Sequence, residues 1–218
     1  MNQLKIPPEL QTKLVEFILK ISEKTVSEFF GIIEDQIRFW RFNNQINILI
    51  NATNNLEKKG ISPQKVNLKV LVPLLEYASL EEEKFMQEKW IQLLVTAADP
   101  NEEVEILTSF PEILKELSSV EVKILDYLYS NIKCNDGLSE KRFTFDEIRN
   151  HLNISKGNLG IYINNLTRLG LCIIPVKANF DGSWATIGGG KLLPINSTNE
   201  ITLTELGYIF IRTCTGKK

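Results

Sequence analysis

The sequence predicts a mainly α fold, with an N-terminal helical domain followed by a winged helix-turn-helix-like C-terminal domain carrying a small β-hairpin. Three observations lead there. Apolar residues recur at spacings of three and four through most of the chain up to Asn135-Asp136-Gly137. At four expected helix starts a Ser or Thr stands three positions before a glutamate, the spacing of a capping box: Ser79/Glu82, Ser109/Glu112, Ser118/Glu121 and Thr144/Glu147. Beyond Gly137, helical segments give way to two β-prone runs around a Gly-rich stretch, the order of a winged helix. The domains are placed at 1–117 and 118–218.

Pro7-Pro8 leads into a first helix whose stripe is Leu10, Leu14, Phe17, Ile18 and Ile21, continuing through Val26, Phe29 and Phe30 to Gly31. Its polar side mixes Glu16, Lys20, Glu23, Lys24 and Glu28, too few cations for a membrane-surface helix, so packing on a core or partner is expected. A long helix follows over Ile32–Lys59, ended by Gly60, with Ile33, Ile37, Trp40, Ile48, Ala52 and Leu56 on one side. The other side carries Asn43, Asn44, Asn47, Asn51, Asn54 and Asn55; as asparagine is a poor helix former, tertiary packing must hold this segment. The asparagines are read as a solvated face, with a hydrogen-bonded helix interface as the alternative. Arg38–Phe42 forms a basic and aromatic cluster, open between core with snorkelling arginines and a contact surface.

Ile61–Leu71 is a connector, left open between a short helix started by Ser62-Pro63 and an extended run over Val66–Val72. Pro73 suits a helix start. Ser79 and Glu82 are expected to cap the next helix, whose apolar face is Met86, Trp90, Leu93, Leu94 and Ala97 and which stops at Asp99-Pro100. Phe110, Ile113, Leu114 and Leu117, then Val120, Ile124, Leu125, Leu128 and Ile132, mark two more helices. Thr144–Leu152 is a short helix, Asn153-Ile154-Ser155 a turn, and Ser155–Gly170 a helix with Leu159, Ile163 and Leu166 inward. Leu171–Val176 and Glu200–Leu203 are the strand candidates, and Thr204 caps a last helix containing Leu206, Ile209 and Phe210.

Composition narrows the class. Hydrophobic residues at 43% and charged residues at 24% are values of a globular protein with a buried core. No apolar run approaches the roughly 18 residues of a membrane span, and MNQLKIPPELQ lacks the regions of a signal peptide, so a cytoplasmic location is expected. Cys134, Cys172 and Cys214 are far apart and read as reduced thiols, with no metal site and no cofactor expected. The net charge of −2 is uneven: residues 1–139 sum to −6 and residues 140–218 to +4. That tail is compatible with a nucleic-acid-facing module but lacks a strongly basic stripe.

Three segments, IRFWRFNNQINILINATNNLEKKGI, VPLLEYASLEEEKFMQEKWIQLLVTAADP and SFPEILKELSSVEVKILDYL, together resemble the Abi-alpha (abortive infection alpha) family of bacterial proteins. The resemblance covers roughly Gly31–Tyr129. It is carried by the acidic turn ASLEEE, Trp90 with the following Leu93-Leu94 and Ala97-Ala98, and the F-x-x-I-L-x-x-L-S segment from Phe110; Ile91-Gln92 departs from the family's Ala-Asn. The resemblance implies a cytoplasmic, mainly helical protein of abortive infection, in which a phage-infected cell halts growth or dies. It brings no catalytic residues.

The residues themselves point to no enzyme. His151 is the sole histidine, so a Ser-His-Asp triad would hang on one residue of a short helix, and a structural role is expected. Gly188-Gly189-Gly190-Lys191 is followed by Leu192-Leu193-Pro194 rather than by the Ser/Thr and helix of a phosphate loop, and reads as a wing tip. Glu81-Glu82-Glu83 fits a helix N-terminus, where the dipole favours negative charge. The sharpest chemical expectation is nucleic-acid contact by Lys156, Asn158, Asn165 and Arg168 on the second helix of the turn, with Lys177 and Lys191 on the wing. Gly157, Gly160 and Ile161 argue against it. The leading expectation is therefore an anti-phage defence protein that binds a protein partner or phage component, with homodimer formation left open. A winged-helix DNA-binding transcriptional regulator is the alternative.

Overall fold

The computed structural model describes residues 8–21, 39–102, 106–132, 141–178, 185–187, 190–192 and 195–216. They form a mainly helical chain with one small three-stranded antiparallel sheet and two further two-stranded ladders. Two compact units emerge: Met1–Ser119 together with Arg212–Lys218, and Val120–Ile211.

In the first unit, α1 (Pro8–Ile21) buries Leu14, Phe17, Ile18 and Ile21. Its expected continuation through Val26, Phe29 and Phe30 to Gly31 lies outside the described residues, as do Ile33, Ile37 and Arg38 and the side chains of Leu10 and Trp40. The long helix α2 is described over Phe39–Lys58 and packs on α1 and on α4 (Lys84–Ala98). It ends in a Schellman motif: Gly60 has φ +67°, its N–H donates to Glu57 O at 2.9 Å, and Ile61 N–H donates to Leu56 O at 3.0 Å.

The asparagine side of α2 is solvated only in part, and at Asn44 it takes the alternative form of a hydrogen-bonded helix interface. Asn44 Nδ2 donates to Ser79 O at 3.0 Å, and the buried Gln45 donates to Leu75 O at 3.2 Å. Arg41 donates to Ser79 Oγ at 3.1 Å and to Glu76 O at 3.3 Å. These carbonyls lie at the C-terminal end of α3 (Leu68–Ala78), where the last C=O groups run short of intrahelical donors; Leu75 O also accepts from Ser79 N–H at 3.1 Å. Asn47 and Asn51 are the exposed members of the row.

Neither connector expectation holds: residues 61–67 form no helix, and Leu68–Val72 of the run expected as extended begin α3, capped by Asn67, whose side chain accepts from Lys69 N–H at 2.9 Å. Pro73 lies inside that helix rather than opening it. Burial of Val70, Leu71, Leu74, Leu75 and Ala78 offsets the missing N–H. Ser79 and Glu82 form no capping box. Ser79 is the C-cap of α3, and its hydroxyl turns back to donate to Glu76 O at 2.6 Å. Glu81 instead accepts from Glu82 N–H and Glu83 N–H, at 3.1 and 3.0 Å, ahead of α4. The expected face of α4, Met86, Trp90, Leu93, Leu94 and Ala97, is buried, and the helix stops at Asp99. α5 (Phe110–Glu116) packs on α3; Ser109, with helical backbone angles of φ −78° and ψ −14° rather than those of an N-cap, makes no side-chain cap, and the Glu112 carboxylate is bound by Tyr77 and Lys115.

The second unit starts within α6 (Ser119–Ser130), which buries Val122, Ile124, Leu125 and Leu128. β1 (Phe143–Thr144) runs into α7 (Phe145–Leu152) through the expected capping box: Glu147 N–H donates to Thr144 Oγ1 at 3.2 Å and Thr144 N–H to Glu147 Oε2 at 2.8 Å. Asn153, left-handed at φ 52°, turns the chain toward α8 (Lys156–Arg168), which ends at Gly170 with φ +71°. β2 (Cys172–Ile173) and β1 flank β7 (Glu200–Leu203) on opposite edges, in the order β1-β7-β2, with Cys172 opposite Leu203 and Phe143 opposite Ile201.

Between β2 and β7 the strand pairing is more extensive than the sequence suggests. β3 (Val176–Ala178) pairs with β6 (Ile195–Ser197), and β4 (Ala185–Ile187) with β5 (Gly190–Leu192), all antiparallel. α9 (Glu205–Thr215) is capped by Thr204, whose Oγ1 accepts from Gly207 N–H at 2.9 Å. It contains Leu206, Ile209 and Phe210 as expected and buries Phe210, Ile211 and Cys214; its last turn, from Arg212, belongs to the first unit.

Candidate functional site

The turn at Asn153 and the buried row Leu159, Ile163 and Leu166 fix which side of α8 looks outward. The helix advances ~100° per residue, so positions two away from that row point to solvent. Gly157, Asn158, Gly160, Ile161 and Asn164 are exposed, and Ile161, at 67%, is more exposed than the other large apolar residues among the described residues. A Cβ placed on Gly157 or Gly160 would meet nothing within 4 Å. The middle of the outer face is therefore neutral, shallow and centred on an isoleucine.

The six residues expected to touch nucleic acid are distributed unevenly. Lys156 is the first residue of α8, and Asn158 is exposed on its first turn. Lys177 lies on β3 opposite Asn196, and Lys191 on β5 opposite Thr186. Asn165 and Arg168 are brought together: Asn165 Oδ1 accepts from Arg168 Nε at 3.0 Å and Nη2 at 2.8 Å. The same carboxamide donates Nδ2–H to Glu121 Oε1 at 2.7 Å. Glu121, expected at a helix cap, lies in the first turn of α6 and is 4% exposed. Sequence reasoning missed both Glu121 as the anchor and Ile161 as the centre of the face; the latter was signalled by its position relative to the inward row.

Groups that could carry chemistry are engaged elsewhere. His151 stacks on Tyr127, with centroids 4.3 Å apart and planes at 30°. Cys172 and Cys214 are buried, and burial pushes the Cys172 thiol well above its ordinary range; Cys134 lies outside the described residues. Gly190-Lys191 opens a strand, while Gly188-Gly189 lies outside the described residues. On the first unit, a cavity of about 420 Å³ is lined in part by Gln64, Lys65, Asn67, Thr96 and Glu102. Its polar wall is tied inward: Thr96 Oγ1 donates to Thr213 O at 2.9 Å, and Glu102 Oε2 lies 3.5 Å from Arg212 Nη2.

Tyr77, Glu112 and Lys115 join α3 to α5. Tyr77 O–H donates to Glu112 Oε1 at 2.6 Å, Lys115 Nζ donates to Glu112 Oε2 at 2.8 Å, and the ammonium sits 4.1 Å from the Tyr77 ring centroid. Hydrogen bonds from Lys115 and then Tyr77 hold the Glu112 carboxyl below its usual value. The bond to Glu112, followed by burial, raises the Tyr77 phenol. Among the described residues, no group of three His, Cys, Asp or Glu is placed to hold a metal ion, and no helix is long and apolar enough to cross a membrane.

A family model described as abortive infection alpha matches residues 43–214. The chain belongs to the abortive infection alpha family. Membership associates it with abortive infection, and so with phage defence. The match runs beyond the resemblance at Gly31–Tyr129 and takes in α7, α8, the paired strands and nearly all of α9. Comparison with curated proteins and with solved structures gives no match. In this abortive infection alpha protein, the outer face of α8 is thus part of the family region.

Proposed function

We propose that this abortive infection alpha protein defends the cell by binding a protein partner in the cytoplasm, not by catalysis, and that the outer face of α8 is its contact surface. The exposure of Ile161 at the centre of a charge-free stretch carries the reading. Apolar side chains ringed by polar neighbours suit protein contacts, while DNA contact draws mainly on cations reaching phosphates. Engagement of Arg168 by Asn165, and of His151 by Tyr127, supports binding over chemistry. The succession α6, β1, α7, α8 and then the paired strands through β7 supports reading the second unit as a winged helix-turn-helix module used for protein contact.

The test is phage plating on cells carrying wild type or Ile161→Glu, with far-UV circular dichroism and a melting curve to establish that the variant folds. Loss of protection by a folded variant is expected, and unchanged protection across a phage panel overturns the reading. A duplex-DNA titration at low and high salt checks the regulator alternative. Tight binding that weakens steeply with salt and falls on neutralising Lys156, Lys177 and Lys191 would establish DNA as the partner.

A further inference from the structure

We infer that the outer face of α8 forms a two-fold interface with a second copy of this chain. The inference rests on the protein-binding reading above and names the occupant of the same face. Its basis is a symmetry in the exposed residues. Ile161 stands at the centre, with Asn158 three positions before it and Asn164 three positions after it, all exposed.

In an antiparallel crossing centred on Ile161, position 161−k of one helix meets position 161+k of the other. The two isoleucines then meet on the axis, and Asn158 of each copy meets Asn164 of the other. A carboxamide both donates and accepts, so each such pair can exchange hydrogen bonds. Such an interface is isologous and needs a self-complementary surface. Any charge on the axis would face its own image. From Gly157 to Asn165 there is none.

Arg168 does not disturb the arrangement. Seven positions from the centre, it would meet Ile154 and not its own counterpart, and its guanidinium already rests on Asn165 Oδ1. Gly157 and Gly160 open the face to close approach, because interaxial distance depends on the side chains at the crossing. A single helix pair is a small interface, so the dimer should depend visibly on concentration.

Sedimentation equilibrium on the full chain over a concentration series tests this, using wild type, Ile161→Asp, Ile161→Lys and an equimolar mixture of the two variants. Wild type should shift between monomer and dimer. Each variant alone should stay monomeric, because like charges meet on the axis, and the mixture should regain the dimer through the opposed charges. Unchanged circular dichroism in both variants confirms their fold. A wild type that is monomeric at every concentration, or variants that dimerise as wild type does, overturns the inference.

Phage plating of Ile161→Asp separates this inference from the functional reading. A monomeric wild type with loss of protection in the variant removes self-pairing and leaves another protein as the partner. A dimer abolished in the variant with full protection retained supports self-pairing and overturns the functional reading.

Discussion

Asn165 spans two elements of the second unit through one carboxamide: its Nδ2–H donates to the buried Glu121 carboxylate at 2.7 Å, and its Oδ1 receives the Arg168 guanidinium. This ties α8 to α6 and sets the orientation of the helix that presents Ile161. Asn165→Leu removes a hydrogen bond to a buried charge and should cost about 2 kcal/mol. Urea unfolding of the variant against wild type measures it. A loss under ~0.5 kcal/mol would mean that Glu121 is satisfied without Asn165.

The asparagine row of α2 divides into residues with different work. Asn44→Ala removes the donor from the Ser79 carbonyl and should destabilise by about 1 kcal/mol. Asn47 is exposed, and Asn47→Ala should stay within about ±0.5 kcal/mol. Paired thermal melts test the contrast, and equal effects would contradict it.

Gly207 lies where α9 meets the backbone of Leu171. A Cβ there would overlap the Leu171 carbonyl oxygen and come within 2.8 Å of its carbon. Backbone cannot swing aside as a long side chain does, so Gly207→Ala should cost at least about 3 kcal/mol. The same carbonyl accepts from Thr204 N–H at 3.0 Å, so any shift also disturbs the start of α9. The midpoint of chemical unfolding is the readout.

The Tyr77–Glu112–Lys115 cluster gives a pH dependence of known sign. Glu112 is held below its ordinary value of 4.5, so its contribution is present above that pH and fades as pH falls through the lowered value. Tyr77 is raised above 10.0, so its contribution is full below that pH and fades as pH rises through the raised value. In Glu112→Gln the phenol should titrate at lower pH than in wild type. Ultraviolet difference absorbance follows this directly, and an unchanged phenol titration would contradict the role of the carboxylate.

What the sequence discloses depends on how local the deciding interaction is. The inward rows of α4 and α8 follow from 3.6-residue spacing, and the Thr144–Glu147 box forms because both partners lie within one turn. Ser79 and Glu82 have the same spacing and fail, because the Ser79 hydroxyl has a nearer acceptor in Glu76 O and a donor arriving from Arg41. The role of Asn44 rests on a partner 35 residues away, which no window of the sequence contains. The outer ladders between β3 and β6 and between β4 and β5 are made of three-residue strands in a Gly-rich stretch, too short for their alternation to mark them. For the candidate site, the inward row was legible and gave the direction of Ile161; the anchor at Glu121 was not, since its partner is 44 residues distant.

The last turn of α9 also has a bearing on the order in which the protein is made. Thr213 receives Thr96, Arg212 approaches Glu102, and Gly216 sits against the Gln92 side chain. A ribosome has therefore delivered all the helices from α1 to α8 before the residues that complete the first unit's contacts emerge. That unit waits, in an unfinished form, through synthesis of the whole second unit, so its folding is expected to finish late even though its sequence comes first.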